Sequence, residues 1–197
     1  EGNKALAASR LERLKSLFGD RLYVELQRHS GYDRGHEAAM LNLAYGHGLR
    51  SDRLDNLWVV DKGTHAAVRF NPAGYVTLNL GRRSEGPDEP DYYVPVGRNG
   101  AAPPAHVDGY FGGPTDVAFD SDDNIYVSDG YGNCRVHKFS ADGKLLFSWG
   151  EPGTGPGQFS IVHTLRVDKQ GIVYVADREN DRIQLFTPEG KYITSWT

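Results

Sequence analysis

What this sequence has little of already narrows its class. A single cysteine, Cys134, excludes an intrachain disulfide and a cysteine-rich zinc site, and it leaves the compartment open. No apolar run reaches the roughly 18 residues that a transmembrane helix requires, so no membrane partner is expected. Excess positive charge is missing too. The formal charge is −4, which gives nucleic acid no electrostatic footing. The opening Glu1-Gly2-Asn3-Lys4 lacks the charged-then-apolar layout of a signal peptide. No G-x-S-x-G elbow appears, and the glycine-rich GEPGTGPG at 150–157 lacks the Gly-Lys-Ser/Thr ending of a phosphate loop, so it reads as a flexible turn. What is present, 39% hydrophobic and 24% charged residues, is the composition of a soluble globular protein.

Gly and Pro are scarce before residue 46 and dense after it. The first stretch reads as helix, strand, helix. Leu6, Leu11, Leu14, Leu17 and Phe18 recur at helical spacing and Gly19 stops the helix; Leu22–Leu26 alternates as a half-buried strand does; HEAAMLNLAY at 36–45 uses strong helix formers.

From residue 47 the pattern is β throughout, and it repeats. Asp61, Asp129 and Asp177 close the apolar strands LWVVD, IYVSD and VYVAD. Nine or ten residues later comes Phe70, Phe139 or Phe186, and four residues after each a turn glycine, Gly74, Gly143 or Gly190. The alternating strands YVTLNL, KLLFSW and KYITSW follow. Upstream, five residues separate His47 from Asp52, Thr115 from Asp120 and His163 from Asp168. The period is 48 residues between the second and third copies and 68 between the first and second, where a Pro- and Gly-rich insertion occupies 82–109. Short strands, turn glycines and a period of about 40–50 residues predict propeller blades, here roughly 47–81, 114–150 and 162–197. The fold class expected is mainly β, a partial, about three-bladed propeller with a short N-terminal α/β segment.

The phrases DNIYVSDGYGNCRVHKFSADGK and GIVYVADRENDRIQLFTPEGK resemble NHL repeats. A narrower set, HGLRSD at 47–52, PTDVAFD at 114–120, VSDGYGN at 127–133, the GQF-to-His163 stretch and VADREN at 175–180, resembles in that order the catalytic core of the peptidyl-α-hydroxyglycine α-amidating lyases. The resemblance implies a six-bladed propeller that uses zinc to split a peptidyl-α-hydroxyglycine into an amidated peptide and glyoxylate.

His47, Thr115 and His163 each lie 14 residues before the blade aspartate, so they hold one register in successive blades. Alternate blades of a six-bladed ring stand about 120° apart, and three histidines so placed would form a tripod with one open metal position. A lone histidine is more often a loop or core residue; the shared register favours ligands, and the resemblance matches His47 and His163 to two zinc histidines. It also matches Tyr131 to a tyrosine that removes the hydroxyl proton, and Arg178 to an active-site arginine suited to holding a carboxylate. Without the resemblance, Tyr131 would be a packing residue and Arg178 would pair with Glu179. Leu49 matches a residue whose backbone carbonyl touches a structural calcium, which rests on the resemblance alone. Zinc, and calcium with less support, are thus the expected cofactors.

The sequence also departs from that family. The third histidine would lie beyond Thr197, and the arginine expected before the first histidine has no counterpart. Residues 18–29, FGDRLYVELQRH, with their flanks resemble part of the PHP domain of bacterial DNA polymerase III α subunits, without its paired-histidine motifs; the two resemblances meet near AYGHGL at 44–49, as in a chimera. Open blade edges predict pairing between copies as a homo-oligomer. Three functions follow: a lyase-like module acting on a peptide or small amide substrate and incomplete in its site; a non-catalytic NHL scaffold for a peptide or protein partner; and a polymerase-derived fragment, against which the charge argues.

Overall fold

The computed structural model describes residues 43–81 and 109–197. The helix–strand–helix expected over 1–46 lies outside them except for 43–46, as do residues 82–108 of the insertion and the histidines His29 and His36.

Three four-stranded antiparallel sheets account for nearly all of the described chain. Blade 1 comprises β1 (Gly46–Ser51), β2 (Leu57–Asp61), β3 (Ala66–Phe70) and β4 (Val76–Gly81). Blade 2 comprises β5 (Pro114–Phe119), β6 (Ile125–Asp129), β7 (Arg135–Phe139) and β8 (Leu145–Trp149). Between blades 2 and 3, β9 (Glu151–Pro152) and β10 (Gln158–Phe159) form a short parallel pair. Blade 3 comprises β11 (Val162–Val167), β12 (Val173–Asp177), β13 (Arg182–Phe186) and β14 (Tyr192–Trp196), with a single 3-10 turn, Arg178–Asn180, after β12. Each blade is a meander whose sequence order is its spatial order. The architecture is mainly β and fits a partial propeller.

Aspartates build the repeat. Asp52, Asp120 and Asp168 sit after the inner strands, and each Oδ1 accepts the backbone N–H groups two and four residues on, closing the turn into the second strand. Each Oδ2 accepts from an aromatic in that strand: Trp58 Nε1 at 3.1 Å, Tyr126 Oη at 3.1 Å or Tyr174 Oη at 3.0 Å. Asp61, Asp129 and Asp177 are fully buried. Each accepts a backbone N–H from the segment that enters its blade's inner strand, at Ala44, Gly112 and Ser160, always 17 residues upstream. Buried carboxylates of this kind are tolerable only because several donors converge on them. Asp177 also takes Asn180 Nδ2, Arg182 Nε and Gln184 Nε2.

Apolar side chains fill the spaces between blades. Trp58, Val60, Phe111, Val117, Val127 and Phe139 lie between blades 1 and 2; Tyr126, Val136, Phe159, Leu165, Val175 and Phe186 lie between blades 2 and 3. The approach is close enough to require glycine at one point. A Cβ on Gly130 would stand 1.9 Å from the Val162 carbonyl oxygen. The glycine-rich 150–157 segment is held rather than flexible. Arg182 donates to the carbonyls of Thr154, Gly155 and Gln158, and Asn180 to that of Gly153.

The inner strands share one irregularity. The ladder pairs Gly46 with Asp61 and Gly48 with Val60, Pro114 with Asp129 and Asp116 with Ser128, Val162 with Asp177 and Thr164 with Ala176. The residue passed over is His47, Thr115 or His163. A bulge of this kind bends the strand and re-aims the extra side chain. Three equivalent bulges therefore turn three equivalent residues toward one region.

Candidate active site at the inner-strand bulges

The bulges bring the two histidines together. The rings of His47 and His163 stand 5.0 Å apart, edge to face at 70°. His47 Nδ1 lies 2.8 Å from the Thr115 carbonyl oxygen. A carbonyl only accepts, so Nδ1 carries the proton and the lone pair of the neutral ring is on Nε2. Thr115 extends the link to the third blade, its Oγ1 donating to the Val162 carbonyl at 2.9 Å. Thr115 is buried, whereas both histidines are half-buried.

Tyr131, in the loop after β6, borders both rings, with centroid distances of 5.7 Å to His47 and 6.3 Å to His163. Its hydroxyl lies 3.5 Å from His47 Nε2 and 3.4 Å from Arg178 Nη1. Arg178 also pairs with Glu179, Nε at 2.8 Å and Nη2 at 2.7 Å from Oε1, the pairing expected of it without the resemblance. That hydrogen bond, first, and the nearby Tyr131 raise the Arg178 pKa, so its charge is permanent.

Lys62 was not singled out in the sequence, yet its Nζ sits 3.5 Å from the centre of the Tyr131 ring and 5.3 Å from that of Tyr45. Burial, then the positive charge of Arg178, lowers its pKa below the ordinary lysine range. The register carried a signal. Lys62 follows Asp61 as Arg178 follows Asp177, so blades 1 and 3 each present a cation one residue past the buried aspartate.

A second constellation, Ser148 Oγ to His137 Nδ1 at 2.8 Å and His137 Nε2 to Asp129 Oδ2 at 3.4 Å, has the composition of a nucleophilic triad. It is a structural tie. His137 is fully buried beside Phe111, and Asp129 is already loaded by Gly112 and Asn133. In blade 3, Gln184 makes the equivalent bond to Asp177. Cys134 is likewise inert: buried, at φ 51°, with its thiol pushed up by burial.

Two imidazoles sharing a zinc at about 2.0–2.1 Å per nitrogen would have ring centres roughly 5 Å apart, which the His47–His163 pair matches. The Nδ1–carbonyl bond is the usual outer support for an Nε2 ligand. The pair fits zinc as two ligands of a larger set, since among the described residues no group of three His, Cys, Asp or Glu assembles. Calcium at Leu49 fits poorly. The Leu49 carbonyl already accepts from Arg50 Nη1 at 2.9 Å, and Arg50 and Arg166 both bind the buried Asp116 carboxylate at 2.8 Å, so guanidinium charge occupies that locale.

With this geometry in hand, comparison with known proteins is informative. The NHL repeat family model matches residues 111–139. Peptidyl-glycine alpha-amidating monooxygenase of Mus musculus is 39% identical over 157 residues, covering 76% of this chain and 14% of that protein. A probable peptidyl-alpha-hydroxyglycine alpha-amidating lyase of Caenorhabditis elegans is 31% identical over 145 residues, covering 72% of this chain and 36% of that protein. The chain thus spans between about a seventh and a little over a third of these two relatives. Among solved structures, virginiamycin B lyase from Staphylococcus aureus superposes with a TM-score of 0.52 at 11% identity, over 84% of this chain and 43% of that one, a likeness of fold alone. The described chain is a segment of NHL-type β-propeller that resembles the peptidyl-α-hydroxyglycine α-amidating lyases.

Proposed function

We propose that the side-chain cluster at the inner-strand bulges is part of a lyase site that splits a peptidyl-α-hydroxyglycine into a peptide amide and glyoxylate. The observation that carries the reading is the convergence of His47, His163 and Arg178, from blades 1 and 3, on the Tyr131 side chain of blade 2.

The reaction breaks the bond between the amide nitrogen and the carbinol carbon. The Tyr131 hydroxyl is the group placed to relay the proton, its oxygen taking the carbinol proton as its own proton passes to the departing amide nitrogen. As the C–N bond breaks, the electron pair goes to nitrogen and the carbinol carbon becomes the aldehyde of glyoxylate, so the step balances without another reactant. Arg178, with Nη1 beside that hydroxyl, is suited to hold the substrate carboxylate. His47 and His163 would supply two imidazole ligands to zinc, which when bound holds and acidifies the carbinol hydroxyl. Calcium is given no role in the reaction, since Arg50 already donates to the Leu49 carbonyl that the resemblance assigns to it.

Among the described residues two histidines meet, fewer than the three protein ligands of a catalytic zinc site. With these two ligands zinc binding is expected to be weak, and glyoxylate release low. The test is glyoxylate release from a peptidyl-α-hydroxyglycine with added zinc, alongside Tyr131→Phe and His163→Ala. A small release lost in both variants supports the reading; release equal in all three proteins contradicts it. The second reading is a non-catalytic NHL scaffold for peptide or protein, for which zinc would be dispensable.

A further inference from the structure

We infer that Arg50 and Arg166, joined through the buried Asp116, form a binding site for a small carboxylate on the inner strands, apart from the histidine pair. The inference goes beyond the lyase reading and does not depend on it.

The repeat sets the two cations at one level. Arg50 lies three residues after His47 on β1, and Arg166 three residues after His163 on β11, so both hold the same register in blades 1 and 3. At about 3.3 Å per residue they are roughly 10 Å along the strands from the histidines. β5 of blade 2 packs against both strands. At that register it carries Ala118, which has no long side chain, and two residues earlier Asp116, which is buried. Arg50 Nη2 and Arg166 Nη1 each lie 2.8 Å from the same Asp116 Oδ2, so the two nitrogens stand no more than twice that distance apart. Two guanidiniums that already share one carboxylate are close enough to share a second.

Asp116 has more donors than it can serve. Its Oδ2 accepts from both arginines and from Thr164, whereas Oδ1 accepts the Val117 N–H at 2.9 Å. Three donors crowd an oxygen with two lone pairs. The surplus shows again at Arg50 Nε, which is buried with no acceptor. Charge is unbalanced in the same sense. Among the described residues Asp116 is the acid that pairs with either arginine, so two positive charges meet one negative. Like charges held this close raise each other's cost, and an entering anion would offset it.

Arg166 supplies the docking edge. Its Nη1 is spent on Asp116, Thr164 and the Leu165 carbonyl, while Nε and Nη2 make no hydrogen bond among the described residues. The side chain is 54% exposed. That edge is a two-donor fork of the kind that takes a carboxylate bidentately. Arg50, tied by Nη1 to the Leu49 carbonyl, adds the second charge from the neighbouring side. One unanswered positive charge matches a monoanion; a phosphate dianion would set an extra negative charge beside Asp116. The ligand class is therefore a small monocarboxylate.

The test uses the full chain in low-chloride buffer and needs neither zinc nor turnover. Acetate and its neutral counterpart acetamide are titrated while the arginine Nε–H resonances and the backbone amides of β11 are followed by NMR. Acetate should move the Arg166 Nε–H resonance saturably, and acetamide should not. In Arg166→Gln, with its circular dichroism spectrum unchanged, the acetate affinity read from the β11 amides should fall about tenfold, and in Arg50→Met about threefold. Arg166→Lys, which keeps the charge without the fork, should fall between the unmodified protein and Arg166→Gln. Equal responses to acetate and acetamide overturn the site without recourse to a variant, and so does unchanged acetate affinity in Arg166→Gln. Neither arginine belongs to the Tyr131 cluster. Failure to bind acetate would count against this site alone, and absent glyoxylate release against the lyase reading alone.

Discussion

Blades 2 and 3 have nearly the same sequence plan and different surroundings. In blade 2 every residue of β6 is buried, whereas in β12 of blade 3 burial alternates, with Tyr174 and Ala176 half-exposed. The outermost strands repeat the contrast. Trp149, near the end of β8, packs against Tyr126 and against Phe186 of blade 3. Trp196 holds the same place in KYITSW and is 53% exposed, with Ile193 and Tyr192 uncovered beside it. Blade 1 shows the covered version again, where Leu80 is buried against blade 2. One residue position thus serves either as core or as surface, and the difference is whether a further blade lies against it. Blade stability here belongs to the contact between neighbours as much as to the blade itself.

The largest expected effect that tests this comparison is at Gly130. Gly130→Val would drive a side chain into the Val162 carbonyl, and we expect loss of at least about 3 kcal/mol or failure to fold, read by chemical denaturation. The two tryptophans come next. Trp149→Ala should cost about 2–4 kcal/mol because it empties the space between blades, while Trp196→Ala should stay within about 1 kcal/mol. Equal costs would mean that Trp196 is covered in solution. Arg50→Met should cost about 1–2 kcal/mol, since Asp116 keeps Arg166 and Thr164 as donors, and adding or chelating calcium should leave the midpoint unchanged.

The fold was legible because its signals are local and repeated. Asp61, Asp129 and Asp177, the turn glycines and the alternating strands each report a blade without reference to any other blade. The register of His47, Thr115 and His163 was legible too. The bulge that gives it meaning was not, because a ladder that passes over one residue leaves no composition mark. Lys62 escaped notice because a lysine after a strand reads as a solvated turn; only the approach of blades 1 and 2 sets its amine over the Tyr131 ring. The Leu49 expectation came from resemblance alone, and the Arg50 side chain changes what that carbonyl faces. The 150–157 segment read as flexible because glycine reports conformational freedom, not the arginine that holds it from 27 or 28 residues away.

The central claim is that bulges in blades 1 and 3 converge two histidines into one metal-binding pair. The most direct measurement is zinc binding by calorimetry to the unmodified chain, His47→Ala and His163→Ala, with His137→Gln as a control at a buried histidine outside the pair. The account predicts one weak site, lost in either alanine variant and kept in the control. Binding that persists in either His47→Ala or His163→Ala at its original affinity would contradict it.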